Sequence, residues 1–502
     1  MIRVLGGPKR LCDGLTRRDL LHVGSLGLLG LGLSDWSTSL ASAEPARPLV
    51  QGGFGRAKAC ILLFLYGSPS QLETFDPKPD APEEVRGELK SISSSVPGLD
   101  VCELLPHMAQ VMDKVTVLRS VSHPYPVHGV AYATTGIPRI EVPMELNPRD
   151  PAHWPFIGSV VDYVERAQGG LAAERPEVPR NMVLPWAFSS QRVGEVPRAG
   201  PYGGFLGQAY DPIFTEFVGR ATLKAKKTLA DKVWDDLEPY RGVTPESRFQ
   251  LGGVSSLAPG LTFDRLDRRR TLLEQFEETR RQEDAQSGHS GIDRHRAMAY
   301  SLLGSDKLRK AFDLDDEAPE TRSLYGMTLF GQASLTARRL VEAGGRFLTV
   351  FWDEYGLAGT GWDTHWEHFP RMKDELLPGL DRTLSGLLID LDRRGMLDET
   401  LVVCLSEHGR TPKLSAGRGG GRDHWSRCYS VLLAGGGIAR GRVVGRSDKI
   451  ASDPVEHRVS PKDVLATIYH LLGIDLNTML TDRQGRPLSL VPDGEVIAEA
   501  IG

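Results

Sequence analysis

Along most of the chain, apolar runs of strand length alternate with stretches of helical spacing. Ala59-Cys60-Ile61-Leu62-Leu63-Phe64-Leu65-Tyr66 is continuous, with no polar alternation, and is closed by Gly67-Ser68-Pro69-Ser70. A run of that kind predicts a strand buried on both faces. Helical spacing over 104–112 leads into a second short strand, Val115-Thr116-Val117-Leu118, and 156–164 reads as an amphipathic helix before a further strand at 181–185. Order is strongest from 327 onward: a helix over 327–343, a strand over 346–352, a helix over 369–394, strands over 401–405 and 429–434, and a helix over 461–472. Strand and helix in turn, with near-continuous apolar strands, predict an α/β fold: a doubly wound, mainly parallel sheet with helices on both faces. In such sheets ligands gather beyond the carboxyl ends of the strands.

Between about 186 and 320 the pattern weakens into charged stretches, 221–237 and 263–282, separated by Gly/Ser/Pro loops. These predict a mostly helical insertion or lid, with lysines 224, 226 and 227 on a solvated face. The first 43 residues stand apart. Thr16-Arg17-Arg18-Asp19-Leu20-Leu21 precedes a weakly hydrophobic, glycine-rich run over 23–33 and then Ala41-Ser42-Ala43, a small-x-small cleavage pattern. The apolar run is far shorter than the roughly 20 residues a bilayer requires. It therefore reads as a cleavable twin-arginine export signal, which places the mature chain, 44–502, in the periplasm or outside the cell with no membrane span. That route carries folded cargo, which suits a protein that loads a metal before export.

Composition narrows the class. With 502 residues, 40% hydrophobic and 25% charged, the chain is ordinary globular material, and a formal charge of -5 supplies no basic field to draw a nucleic acid. Length alone permits two or three domains, but one large α/β domain with an insertion reaches this size too, and that is the favoured reading. Of five cysteines, Cys12 lies in the signal, Cys60 and Cys404 sit inside apolar strands as small hydrophobes, and Cys102 and Cys428 match no metal or redox spacing.

Chemistry collects at the predicted strand ends. Trp362-Asp363-Thr364-His365 follows the strand ending at Trp352, with Glu367 and His368 just beyond. Ser406-Glu407-His408-Gly409-Arg410-Thr411-Pro412 follows the strand ending at Leu405, and Arg422-Asp423-His424-Trp425 precedes the strand at Tyr429. A divalent metal bound by imidazole and carboxylate needs several such ligands converging, and neighbouring loops at one sheet edge supply them. Asp363, His365, Glu407, His408 and His424 are the candidate ligands.

These three segments resemble the signature segments of the domain-of-unknown-function 1501 family, exported proteins that are themselves similar to the alkaline phosphatase and sulfatase superfamily. Further similar stretches are Leu63-Phe64-Leu65-Tyr66-Gly67-Ser68-Pro69-Ser70-Gln71, Thr74-Phe75-Asp76-Pro77-Lys78, Val117-Leu118-Arg119-Ser120-Val121-Ser122-His123, Leu432-Leu433-Ala434-Gly435-Gly436-Gly437 and Asp482-Arg483-Gln484-Gly485-Arg486-Pro487. The resemblance implies an alkaline phosphatase-like sheet and one or two divalent ions, zinc first, with calcium, manganese or iron as the other choices. Asp363, His365 and His424 would share one site, and Glu407 with His408 a second, Glu407 being the safer ligand. It further implies hydrolysis of a sulfate or phosphate ester, on a small anionic ester or a sulfated or phosphorylated glycan. Arg410 and Arg422 would hold the ester's non-bridging oxygens, a surface or carboxylate-pairing role being the alternative for Arg410; His128 would serve as acid, base or ligand, and Asp423 would orient His424 or cap the turn.

Two departures from the superfamily pattern matter. Where a metal-binding Asp is expected after the first strand, the chain has Gly67-Ser68-Pro69-Ser70, with Glu73 and Asp76 the nearest carboxylates. Where a Ser, Thr or modified Cys nucleophile is expected it has Pro126, among Ser122, His123 and His128. Water activated by a metal would then be the attacking group. The alternative is an exported binding or cell-surface protein that keeps the fold, with or without its metal, and turns nothing over.

Overall fold

A computed structural model describes residues 52–126, 128, 130–137, 147, 150–174, 177–191, 200–229, 232–252, 305–356 and 360–502. The predicted export signal and the predicted helix over 263–282 lie outside the described residues. The strands of the main sheet are β1 (Ala59–Leu65), β2 (Val115–Val121), β3 (Asn181–Leu184), β4 (Ile213–Val218), β5 (Arg248–Leu251), β6 (Phe347–Trp352), β7 (Thr400–Leu405), β8 (Tyr429–Ala434) and β9 (Arg442–Val444). They form one nine-stranded sheet in the order β9-β2-β8-β7-β1-β6-β3-β4-β5. Every pairing is parallel except those of β8 with β7 and β2 and that of β5 with β4, so the mainly parallel sheet expected from the apolar runs is present.

The continuous apolar character of β1 has a direct cause: all seven of its residues are buried, on two faces. Ile61, Leu63 and Leu65 pack with α1 (Pro106–Val111), α4 (Leu329–Glu342) and α5 (Leu377–Arg393). Cys60, Leu62, Phe64 and Tyr66 pack on the opposite side with α2 (Val130–Thr135), α3 (Ile157–Glu174) and α6 (Pro461–Leu471). The alternation is that of a strand, period two, with an apolar layer on each side. Helix starts follow local rules. Thr328 Oγ1 accepts the Gly331 N–H at 3.0 Å to cap α4, and Ser460 with Asp463 forms a reciprocal capping box ahead of Pro461 in α6. The predicted helix over 369–394 is divided by a π-turn, Met372–Leu376, just before Pro378, whose missing N–H prevents an ordinary helical turn there.

The weakly patterned region is corrected in its described part. The expected helix over 221–237 is instead an antiparallel hairpin of Lys224–Leu229 with Lys232–Leu237. Alternation decided it: Ala225 is buried between exposed Lys224 and Lys226, and Lys226 sits opposite Asp235 across the ladder. Two further strands from this region, β4 and β5, extend the main sheet; its described helices are short, Asp306–Phe312 and Pro319–Tyr325. Among the described residues, no helix is long and apolar enough to cross a membrane.

The order β7-β1-β6 gathers the motif loops. Those after β6 and β7 both rise beside the carboxyl end of the central strand, and antiparallel β8 begins at the same edge, so 363–365, 407–410 and 424 meet there.

Candidate metal centre

Asp363 is the hub. Its Oδ1 lies 3.0 Å from His365 Nε2 and 3.5 Å from His424 Nε2, its Oδ2 lies 3.3 Å from His128 Nε2, and the two facing Nε2 atoms of His365 and His424 are 3.1 Å apart. Both rings are turned by their other nitrogen: His365 Nδ1–H donates to Asp423 Oδ1 at 2.7 Å, and His424 Nδ1–H to the Pro126 carbonyl at 3.3 Å. The expectation that Asp423 orients His424 is corrected: it orients His365, because the 424 ring turns toward the 126 loop instead. The Nε2 atoms of both rings thus face the Asp363 carboxylate, and with their other nitrogens committed they are the ring atoms a cation would meet.

His128 joins this group to a second. Its Nδ1 lies 3.1 Å from Glu407 Oε1, which also accepts the Gly67 N–H at 2.9 Å. His408 points its ring at those of His128 and His424, with centroids 5.6 and 4.6 Å away, and its Nδ1–H is committed to the Gly409 carbonyl at 2.8 Å. That leaves Glu407 Oε2 and His408 Nε2 buried without a hydrogen-bond partner among the described groups. Buried orphans of this kind are costly unless something outside the chain satisfies them. Two sets therefore offer ligand atoms within 4.8 Å of one another: His128, Asp363, His365 and His424, and His128, Glu407 and His408. All five expected ligands are brought together, and His128 sits between the sets.

Charge follows geometry. Burial works against ionisation of Asp363, but Arg410 and the three imidazoles overcome it and hold the carboxyl well below its usual range. Burial also opposes the charge on His128, yet hydrogen bonds to Asp363 and Glu407 prevail and lift it to about 9. Burial, with Arg410 and His424 nearby, keeps His408 neutral, well below the ordinary imidazole value. Burial likewise lowers His424.

The two arginines expected to grip an ester are corrected. Arg410 is fully buried; its Nη2 lies 2.6 Å from Asp363 Oδ1 and also donates to the Gly67 carbonyl, Nε donates to Ser68 O at 3.1 Å and Nη1 to Arg422 O at 3.1 Å. Arg422 is equally buried and does not enter the cluster. Its Nη2 bonds Glu73 Oε1 at 2.5 Å and Val85 O at 2.7 Å, and its Nη1 bonds Thr411 O and Pro412 O. Both guanidiniums are occupied in fixing loops, Arg410 by holding Asp363 against the end of β1. Close packing there demands glycine: Gly67 has φ 92°, and a Cβ on it would stand 2.4 Å from the Asp363 amide nitrogen. A Cβ on Gly421 would meet the His365 carbonyl at 1.9 Å.

Sequence reasoning passed over the support behind these loops. Glu73, His368 and Arg422 form a buried cluster: His368 Nε2 is 3.2 Å from Glu73 Oε2, and His368 Nδ1 is 2.7 Å from Thr364 Oγ1. Burial would raise Glu73, but Arg422 and His368 bring it down to about 2. The signal was present in part, since Glu73 and His368 were both visible beside the motifs; their pairing across nearly three hundred residues was not.

A model of the family described as "Protein of unknown function (DUF1501)" matches residues 57–501. No curated protein matches the chain. Among solved structures, the chain is similar to the PsFucS1 sulfatase from Pseudoalteromonas sp., at 11% identity and TM-score 0.36 over 84% of this chain and 68% of that one. It is also similar to the lipoteichoic acid synthase LtaP from Listeria monocytogenes, at 10% identity and TM-score 0.35 over 89% and 78%. The phosphonate monoester hydrolase SpPMH from Silicibacter pomeroyi matches at 11% identity and TM-score 0.31 over 88% and 75%.

Proposed function

We propose, for a chain that belongs to the DUF1501 family, that the cluster is a divalent metal centre and that the protein is an exported, metal-dependent hydrolase of sulfate or phosphate esters. The observation that carries the reading is the convergence of Asp363 Oδ1, His365 Nε2 and His424 Nε2, with the outer nitrogen of each ring committed elsewhere. The buried, unpartnered Glu407 Oε2 and His408 Nε2 support it. Two imidazoles and a carboxylate at one site, and an imidazole and a carboxylate at the other, suit zinc ahead of calcium or magnesium, which prefer oxygen. Asp363, His365 and His424 would hold one ion and Glu407 with His408 a second. Such ions polarise an ester's oxygens and lower the pKa of water.

The chain's own residues do the rest. Arg410 fixes the Asp363 carboxylate. The Gly67 N–H fixes Glu407. His128, whose nitrogens face both carboxylates, holds a proton between them and is placed to pass it to the leaving oxygen as an ester bond breaks. With both arginines committed, the oxygens of an ester would be gripped by the metal ligands' side of the site and by His128. A small anionic ester fits this reading, and a sulfated or phosphorylated glycan fits it equally.

One observation favours a second reading. The hydroxyl of Ser68, at the end of β1, is buried and already accepts the His408 N–H at 3.2 Å, so it is not presented as a nucleophile. A non-catalytic exported binding protein would retain the centre without needing one. Elemental analysis of untagged protein, beside the His365→Ala/His424→Ala double variant, tests the centre; hydrolysis of phenyl phosphate and phenyl sulfate with added zinc tests the chemistry. Metal in the wild type, lost in the variant, with turnover, is the expected result. Metal without turnover selects the binding protein, and no metal after zinc loading overturns both.

A further inference from the structure

A cavity of about 590 Å³ is lined by His424 together with His123, Trp425, Arg427, Asp453 and Arg458. That volume suits a group of aryl or sugar size. Its polar lining is mostly spoken for. His123 donates Nε2–H to the Glu407 carbonyl at 2.8 Å and accepts the Tyr125 N–H at Nδ1, so it offers no charge. Arg427 is paired with Asp453 at 2.6 Å and lies over the Trp425 ring, 5.4 Å from its centroid, while the Trp425 indole N–H is held by Ser452 O at 2.8 Å. Arg458 differs: it is exposed, lines the same cavity and has no carboxylate partner among the described residues. The cavity thus combines a fixed aromatic wall, one candidate metal ligand and one uncompensated cation.

We propose that this cavity seats the leaving group of the ester, and that Arg458 selects leaving groups bearing a second anionic centre: a carboxylate, sulfate or phosphate. That the occupant is a leaving group rests on the hydrolase reading; the selection itself is a binding property. The metal centre takes one charged end, His424 marks the boundary, and Arg458 takes the other end across the Trp425 wall. Two cations with only one paired acid leave the cavity net positive, and a guanidinium pairs with a carboxylate or an ester oxyanion through two parallel N–H donors.

The test uses two non-hydrolysable probes on the zinc-loaded full chain, benzylphosphonate and 4-carboxybenzylphosphonate, titrated by calorimetry. The wild type is expected to bind the carboxylated probe more tightly, by about fivefold for a solvent-exposed pair. Arg458→Lys should keep much of that preference, and Arg458→Glu should abolish or reverse it. Equal affinities in the wild type, a preference unchanged in Arg458→Glu, or no binding of either probe would overturn the subsite. Phenyl phosphate and phenyl sulfate, followed separately, report on hydrolysis alone: if neither is cleaved while the Arg458-dependent preference persists, the hydrolase reading fails and the anion selectivity stands.

Discussion

Removing one ligand should change stability by an amount that depends on whether metal is present, and His365→Ala is the sharpest case. Without metal, the side chain loses contacts with Asp363 at 3.0 Å and with Asp423 at 2.7 Å, the latter carboxylate being 71% exposed. Partly exposed pairs of this sort are each worth about 0.2–1 kcal/mol, and deleting the ring also relieves its close approach to His424, so the net loss is about 1 kcal/mol. With zinc at about 100 times its dissociation constant, the wild type gains about 2.7 kcal/mol of folding stability by linkage. A variant whose affinity falls about a hundredfold, the upper effect of losing even an outer-shell partner, keeps only about 0.4 kcal/mol of that gain. The difference between wild type and variant should therefore grow from about 1 to about 3 kcal/mol on adding zinc.

A folded unit of roughly 450 residues unfolds with an entropy near 1 kcal/mol/K, so the separation in Tm should widen from about 1 °C in chelator to about 3 °C in zinc. Differential scanning calorimetry of both proteins, in chelator and in zinc, resolves this. Equal separations in the two conditions would refute the assignment of His365 as a ligand, whatever the absolute Tm values.

The Glu73 carboxyl, faced by Arg422 and His368, sits near pKa 2 against an ordinary 4.5. A depressed carboxyl stabilises the fold fully above its unfolded pKa and loses that contribution as the pH falls from about 4.5 toward 2, a loss of a few kcal/mol. Urea midpoints across that window should fall steeply in the wild type and more gently in Glu73→Gln; parallel slopes would remove Glu73 from the acid limb. Arg410→Met leaves Asp363 buried without its cation, which costs about 3–5 kcal/mol. As read by chemical denaturation, the deficit should be larger in zinc than in chelator, because a carboxylate no longer held in place binds the ion less tightly, and a deficit indifferent to zinc would sever Arg410 from the centre. Gly67→Ala forces a Cβ against the Asp363 amide in a left-handed backbone, so it should destabilise by about 1–3 kcal/mol and weaken zinc binding; a neutral result would show that the 363 loop is free to move. Replacing Arg17 and Arg18 by Lys should leave unprocessed precursor in the cytoplasmic fraction, and normal processing would dismiss the export reading.

What was legible in the sequence is what depends on near neighbours. The continuous apolar run over 59–66 announced β1, and the helix expected over 461–472 is α6. The candidate ligands were legible because each stands one loop from a recognisable strand: Asp363, His365, Glu407 and His408 follow parallel strands, and His424 precedes the antiparallel β8, which begins at the same edge. The hairpin at Lys224–Leu229 and Lys232–Leu237 was missed because lysine and alanine favour helix by intrinsic propensity, and only pairing across the ladder reverses that preference. The role of Arg422 was missed, and that of Arg410 left open between an ester and a carboxylate, for a related reason. An arginine beside an acidic-imidazole motif looks the same whether its guanidinium faces the site or turns away, and burial decides between the two.

Buried arginines of this kind also keep the centre in shape. A carboxylate and several imidazoles crowded within hydrogen-bonding distance would spread apart if the loops carrying them were free. Each loop is instead tied from behind: 363–365 by Arg410 through Asp363 and by His368 through Thr364, the end of β1 by Arg410 through the Gly67 and Ser68 carbonyls, and the 411–422 loop by Arg422 through Glu73. The two ionic ties among these, Arg410 with Asp363 and Arg422 with Glu73, are buried, costly to desolvate and therefore poor sources of net stability. Their value lies in geometry, because removing either partner strands a charge in the interior, so alternative loop arrangements are penalised. The donors consequently stand close together before any ion arrives, and the free energy of binding one need not be spent on gathering them. The buried arginines thus hold the candidate centre in shape, and under the proposed reading it is the exposed Arg458, lining the neighbouring cavity, that would meet a substrate.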